Sequence, residues 1–257
     1  MRIMEKLGQN AKEKLISGFE VFLEKHLRPG ELSEIVDWMG KHGNELNSRF
    51  PLERSGSYSD PELRELFELM SVNYGGLTNV EDQKEIFSEL LDCGISKGRT
   101  LSIGCGLAPH ELYLISQGLI AEEFVGVDTS ENMLKRTRGI AQKEGITNVS
   151  FVQNYGSDIE YDNEFQQVFL IDALAWMRSW KQCLIKSAKA LENNGTIFIS
   201  HSIYSPVVQI NPLEIIKTLA ECRVDVKKVS GMDGHAGTPR SIIFGKKEQA
   251  SGFIIPG

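Results

Sequence analysis

Two short stretches concentrate the residues able to do chemistry. In LSIGCGLAPHE, residues 101–111, an apolar run meets Gly104, Cys105 and Gly106. In VGVDTSENML, residues 125–134, another apolar run ends at Asp128, a little over 20 residues beyond the loop. A glycine at a strand exit permits a tight turn, and a second one lets a ligand approach the backbone closely. An acid closing the next strand accepts hydrogen bonds from ribose hydroxyls. The pair therefore predicts a nucleoside site. A pyrophosphate would also want free N–H groups at the next helix terminus. Pro109 removes one of these and stands where the dinucleotide fingerprint GxGxxG has its last glycine. This disfavours an NAD-dependent dehydrogenase. A ligand with a ribose and no phosphate, such as S-adenosyl-L-methionine (SAM), loses little.

Alternating strands and helices must position these residues. From Arg99 onward, TLSIG, EFVGVD, VSFVQN, QQVFLIDAL and GTIFISHS read as strands, with helices over His110–Gln117, Glu131–Glu144, Trp180–Leu191 and Pro212–Cys222. Such alternation predicts an α/β fold: a Rossmann-like, doubly wound, mostly parallel seven-stranded sheet. VDVKKVS and RSIIFGKK, joined without a helix, predict an antiparallel C-terminal edge hairpin. Residues 1–98 read as helical instead. Apolar residues recur at helical spacing between Glu5 and Leu27, Pro29-Gly30 breaks the pattern, and Glu31–Met39 follows as a second helix. Asn47–Asp60 reads as a loop. Asp60 as cap and Pro61 in the first turn open a helix carrying Leu63, Leu66, Phe67 and Met70. Residues 71–79 form a turn, and Asn79 caps a helix over Val80–Leu91. The expected division is a helical acceptor-binding or lid region over 1–98 and a SAM-binding Rossmann-like domain over 99–257.

The chain has 257 residues, 41% hydrophobic and 25% charged, enough to bury a core of ordinary size. Its net charge of −7 opposes nonspecific binding to nucleic acid, which needs Lys and Arg to neutralise phosphates. Cys93, Cys105, Cys183 and Cys222 form no CxxC pair, so no metal is expected. MRIMEKLGQNAKEK lacks the apolar core of a signal peptide, and no run is long enough to span a bilayer. The cytoplasm, without membrane attachment, is the expected location.

LSIGCGLAP followed by VGVDTSENML resembles motifs I and II of class I SAM-dependent methyltransferases. NVSFVQN (148–154), FLIDALAWM (169–177) and ALENNGTIFIS (190–200) extend the likeness, which covers roughly residues 98–247. The resemblance implies SAM as cofactor. It places Gly104, Cys105 and Gly106 under the methionine moiety and Asp128 on the ribose diol. Thr129 and Met133 follow in motif II, Asn154 and Tyr155 fall beside the adenine, and Asp172 lies near the amino group and reactive methyl. Three departures stand out. Ser102 replaces the common Asp or Glu of motif I, Ala108 its third glycine, and the adenine-side acid is missing unless Asp158 serves.

Asp172, His201 and Tyr204 are the candidate catalytic residues. His201 ends a strand, is expected to face the cofactor side, and could act as a general base. Tyr74 and His235 are weaker candidates, and Cys105 reads as a small loop residue rather than a nucleophile. Trp176, Met177 and Trp180 read equally as core or acceptor-pocket lining. The expected reaction is methyl transfer to an O, N or S nucleophile of a small molecule, with a homodimer allowed. GLAP also resembles the loop of nicotianamine-synthase-like enzymes, so aminobutyryl transfer or cyclisation releasing methylthioadenosine is the alternative. A non-catalytic SAM-binding protein is the other.

Overall fold

The computed structural model describes residues 8–27, 59–70, 80–95, 97–120, 122–202, 209–233 and 239–249. The expected helix at Glu31–Met39, the turn at 71–79, and Tyr74, Tyr204 and His235 lie outside them. Helices α1 (Gln9–Leu27), α2 (Asp60–Met70) and α3 (Val80–Cys93) precede the alternating region. There follow β1 (Thr100–Ile103), α4 (Pro109–Ser116), β2 (Phe124–Asp128), α5 (Glu131–Lys143), β3 (Val149–Gln153) and β4 (Phe165–Ile171). A 3-10 turn at Leu174–Trp176 leads to α6 (Trp180–Ala190), β5 (Leu191–Ser202), α7 (Pro212–Glu221), β6 (Val224–Asp233) and β7 (Pro239–Lys247).

The strands form one seven-stranded sheet in the order β3-β2-β1-β4-β5-β7-β6. Strands β1 to β5 pair in parallel, and β7 pairs antiparallel with both β5 and β6. The C-terminal strands are therefore the expected antiparallel pair, with β7 inserted between β5 and the outer strand β6. The order reverses at β1, which pairs with β2 on one side and β4 on the other. Ligands of open α/β sheets bind above such a switch point, beyond the carboxyl ends of the strands.

The central strands are buried on both faces, so they read as near-continuous apolar runs. Leu101, Ile103, Val168, Leu170, Ile197 and Ile199 point into one cluster with α6 and α7. Phe124, Phe169, Phe198, Ile242 and Phe244 point into the other, with α1, α3, α4 and α5. Helices α1 and α3 thus share a core with the sheet. Phe19 and Phe87 stack at 4.3 Å, and both rings meet Tyr113 of α4. Gly18 carries no side chain because Tyr113 fills that space: a Cβ there would lie 2.2 Å from the tyrosine hydroxyl.

Helix α2 is attached by its acids. Asp60 was expected to cap this helix. Instead, Ser59 and Glu62 form the start, with the Ser59 N–H and hydroxyl both donating to Glu62 Oε2. Asp60 turns outward to accept from the Arg178 N–H at 2.8 Å and from the Ser179 hydroxyl, just before α6. Glu68 accepts from the Glu131 and Asn132 N–H groups at the start of α5, where a carboxylate is favoured by the helix dipole.

Phe19 is completely buried, whereas Val21 on the same helix is 61% exposed. Phe19→Ala should cost about 3–5 kcal/mol of unfolding free energy. Val21→Ala should change it by about 0.5 kcal/mol or less. Urea denaturation of both variants tests whether α1 belongs to the common core.

Candidate functional site

The loop after β1 is built from left-handed residues. Gly104, Gly106 and Ala108 have φ of 65°, 51° and 47°. Gly104 is doubly constrained, since a Cβ there would lie 2.6 Å from the Ala173 Cβ past β4. Ala108 takes the conformation a third glycine would adopt easily, and Pro109 fills the first helical turn behind it. The Gly104 and Cys105 N–H groups both donate to the Val127 carbonyl, at 2.8 and 3.1 Å. The Gly106 N–H donates to Asp128 Oδ2 at 2.8 Å, and the Ser130 N–H to Asp128 Oδ1 at 2.9 Å. Burial pushes the Asp128 carboxyl above its ordinary pKa, against the opposing pull of these backbone donors. Ser130, not Asp128, caps α5: its hydroxyl accepts the Met133 N–H at 3.2 Å. Thr137 donates to the Gly106 carbonyl at 2.7 Å and closes the loop from behind.

The loop overlooks a cleft with about 500 Å³ of empty space, its open mouth included. Ser102, Gly104–Leu107, Ile171 and Asp172 form its sheet side, while Leu27, Gln83, His110 and Glu111 close it from α1, α3 and α4. Asp172 ends β4 with φ 51°, accepts from the Ser200 hydroxyl at 2.7 Å, and faces Arg240 Nη2 at 3.3 Å. Arg240 Nη1 lies 2.7 Å from Asp82 of α3. Asn154 donates its N–H to the Asp128 carbonyl and accepts the Tyr155 N–H, so both sit beside the acid at the β2–β3 edge. The Thr129 carbonyl accepts from Gln153, and Met133 is 4% exposed within the core under α5. Asp158 is exposed and accepts from Ser157.

His201 does not face this cleft. It alternates with Ser200, which reaches Asp172, and with Ser202, which pairs with Arg240. Its ring shares the opposite face with Ile197 and Ile199, where Nε2 donates to the Ile210 carbonyl at 3.1 Å. The expected orientation toward the cofactor side is thereby corrected. Burial also raises the Cys105 thiol well above its ordinary range, which fits a neutral loop residue. Among the described residues, no group of three or more His, Cys, Asp or Glu gathers as a metal site. No described helix is long and apolar enough to cross a membrane.

Residues 96–232 match the family model described as a methyltransferase domain. The chain belongs to this family. Its membership places it in the class I SAM-dependent methyltransferase superfamily, in agreement with the motif resemblance. Over 86 residues it is 35% identical to a 2-heptyl-1-hydroxyquinolin-4(1H)-one methyltransferase of Mycobacteroides abscessus, covering 33% of this chain and 36% of that protein. Over 113 residues it is 29% identical to a demethylmenaquinone methyltransferase of Staphylococcus carnosus, covering 42% and 46%. The chain thus spans less than half the length of these curated relatives. Magnesium protoporphyrin IX methyltransferase from Synechocystis PCC 6803, solved with bound SAM, superposes with a TM-score of 0.60 at 17% identity, covering 75% and 99%. The [4+2]-cyclase SpnF superposes at 0.61 with 12% identity, covering 74% and 97%. These two likenesses show the fold.

The family's cofactor is SAM, and the residues present fit it. The glycine turn leaves a bare backbone at the cleft, and the Asp128 carboxylate lies beside it with acceptor capacity beyond its two backbone donors. Three residues lining or bordering this cleft escaped the sequence reading. Asp82 and Arg240 meet only through tertiary folding. Glu111 left a signal, being the one acid within PHELYLIS, a short helix buried from His110 to Ile115.

Burial shifts two neighbours in opposite directions. Burial lowers His110 to about 4 and raises Glu111 to about 7. A depressed His loses stability as pH falls from about 6.5 toward 4, because the unfolded chain binds the extra proton. A raised Glu loses stability as pH rises from about 4.5 to 7, because the folded chain holds the extra proton. The two slopes oppose between about pH 4.5 and 6.5. The stability of wild type minus that of Glu111→Gln should therefore fall by about 1.4 kcal/mol per pH unit across this window. Urea titrations at pH 5 and 6.5 measure it.

Proposed function

We propose that the chain transfers the methyl group of SAM to a nucleophilic O, N or S atom of a small molecule. The observation that carries this reading is the glycine turn bonded to Asp128 above the β1/β4 switch point, within the segment matching the methyltransferase domain. Both curated relatives are named for small-molecule acceptors, a hydroxyquinolone and demethylmenaquinone, and that supports the acceptor class.

SAM supplies an electrophilic methyl carbon on a sulfonium, so little covalent work falls to the protein. Gly104, Cys105 and Gly106 would pass under the methionine portion, Asp128 would hold the ribose diol, and Asn154 and Tyr155 would flank the adenine. Asp172 is fixed by Ser200 and Arg240 at the exit of β4, where the acceptor would meet the methyl group. Aligning nucleophile and leaving group can lower a barrier by roughly 7–11 kcal/mol at best. Residues 1–98 would close over the acceptor and exclude water. The Asp60 and Glu68 contacts support this role, because they attach α2 to the starts of α6 and α5, beside the carboxyl ends of the strands.

Incubation with SAM and a panel of small hydroxylated, amino and thiol acceptors should release S-adenosylhomocysteine, read by mass spectrometry. Release of methylthioadenosine instead would favour aminobutyryl transfer. Asp128→Ala should weaken SAM binding by roughly 10- to 100-fold, the worth of charge-assisted hydrogen bonds. Unchanged binding in this variant would overturn the assigned site.

A further inference from the structure

The cleft contains one buried carboxyl that the assigned roles leave unused. Glu111 is 2% exposed, lines the cleft, and projects from the first turn of α4. The hydroxyl of Ser102 donates to its Oε1 at 2.5 Å. Ser102 is the β1 residue that stands in place of the usual motif I acid. A carboxyl missing from the strand is thus delivered to the same end of the cleft by the helix nine positions on.

The other groups facing Glu111 narrow what it can do. Leu27 from α1 and Gln83 from α3 carry no charge. His110 beside it is held neutral by burial and donates to the Gln83 carbonyl at 3.2 Å. The Cys105 thiol in the loop is also neutral, and Asp128 behind it is engaged by two backbone N–H groups. Asp172 is already paired with Arg240, which pairs again with Asp82. Among the described residues, Glu111 has no cationic partner. Burial favours the neutral form of such a carboxyl, and a ligand cation placed against it would favour its ionised form.

We propose that Glu111, steadied by Ser102, is the carboxylate that receives the α-ammonium group of the cofactor. The inference rests on SAM occupying this cleft. In the free protein burial holds Glu111 near a pKa of about 7, so it is largely protonated below neutrality. An ammonium in contact favours the ionised form. Binding therefore expels the Glu111 proton, and affinity rises with pH through neutrality until the ammonium itself deprotonates.

The test is isothermal titration calorimetry of the full chain at pH 6.5, in buffers of different ionisation enthalpy. Its three probes are SAM, S-adenosylhomocysteine and 5′-methylthioadenosine. The first two carry the ammonium, only SAM carries the sulfonium, and methylthioadenosine carries neither. Wild type should release roughly 0.5–0.8 proton with SAM and with S-adenosylhomocysteine, and none with methylthioadenosine. Glu111→Gln should abolish that release and weaken the first two ligands roughly 10- to 100-fold, leaving methylthioadenosine unchanged. SAM binding to wild type without proton release would overturn the proposal. So would release that also occurs with methylthioadenosine, or that survives in a folded Glu111→Gln. If Glu111→Gln does not fold, the wild-type proton count across the three ligands decides alone. Failure of all three ligands to bind wild type would instead overturn the cofactor reading beneath it.

Discussion

The hydrogen bond from the Gly106 N–H to Asp128 is the joint on which the site depends. It fastens the turn after β1 to the end of β2, and the same carboxylate takes the Ser130 N–H that opens α5. Three elements therefore meet at one acid. The left-handed turn brings its N–H groups onto Val127 and Asp128 because Gly104 and Gly106 tolerate positive φ. Asp128 gives that turn a partner at the moment it needs one. An acid in this position is committed to two backbone donors, one in the loop that shapes the site and one at the start of α5. Its partial burial makes both commitments stronger, since fewer water molecules compete.

The alternation from β1 to α7 was legible because each element follows a local period, and the glycine turn because its residues are contiguous. The antiparallel end was legible from the missing crossover helix. What escaped lay in tertiary pairing. Arg240 meets Asp82 and Asp172, residues distant in sequence, and no local pattern announces such a meeting. His201 shows a subtler limit. In GTIFISHS both faces of the strand are buried, so apolar residues alone do not reveal which face a polar one joins. Only Ser200 and Ser202 hinted that the cleft side was theirs. Asp60 failed for a related reason: its sequence context suited a helix cap, but Ser59 and Glu62 already supplied one.

The helices before β1 are less an appendage than their composition suggested. Phe19, Phe22, Ile86 and Phe87 enter the same cluster as the sheet residues Phe169 and Phe198. Buried aromatic contact of this kind fixes α1 and α3 against the fold, and Leu27 and Gln83 reach the cleft from them. Helix α2 is held differently, by carboxylates on the N-termini of α5 and α6. The Asp60 contacts are partly buried, and Leu63 of the same helix is 2% exposed. Helices α1 and α3 complete the cleft wall through Leu27 and Gln83, and α2 is tied to the starts of α5 and α6.

Charge placement around the cleft follows from what must enter it. Asp82 and Asp172 both reach Arg240 beside the cleft. Asp128 adds another carboxylate beside the glycine turn, and His110 is kept neutral by burial. A cationic cofactor is the natural counterpart of such a wall, because buried carboxylates without one would be costly. Moving an acid from β1 to the start of α4 keeps this balance while freeing Ser102 to act as a donor. The substitution that looked like a loss in motif I is then a relocation, with the strand supplying the hydroxyl and the helix the charge.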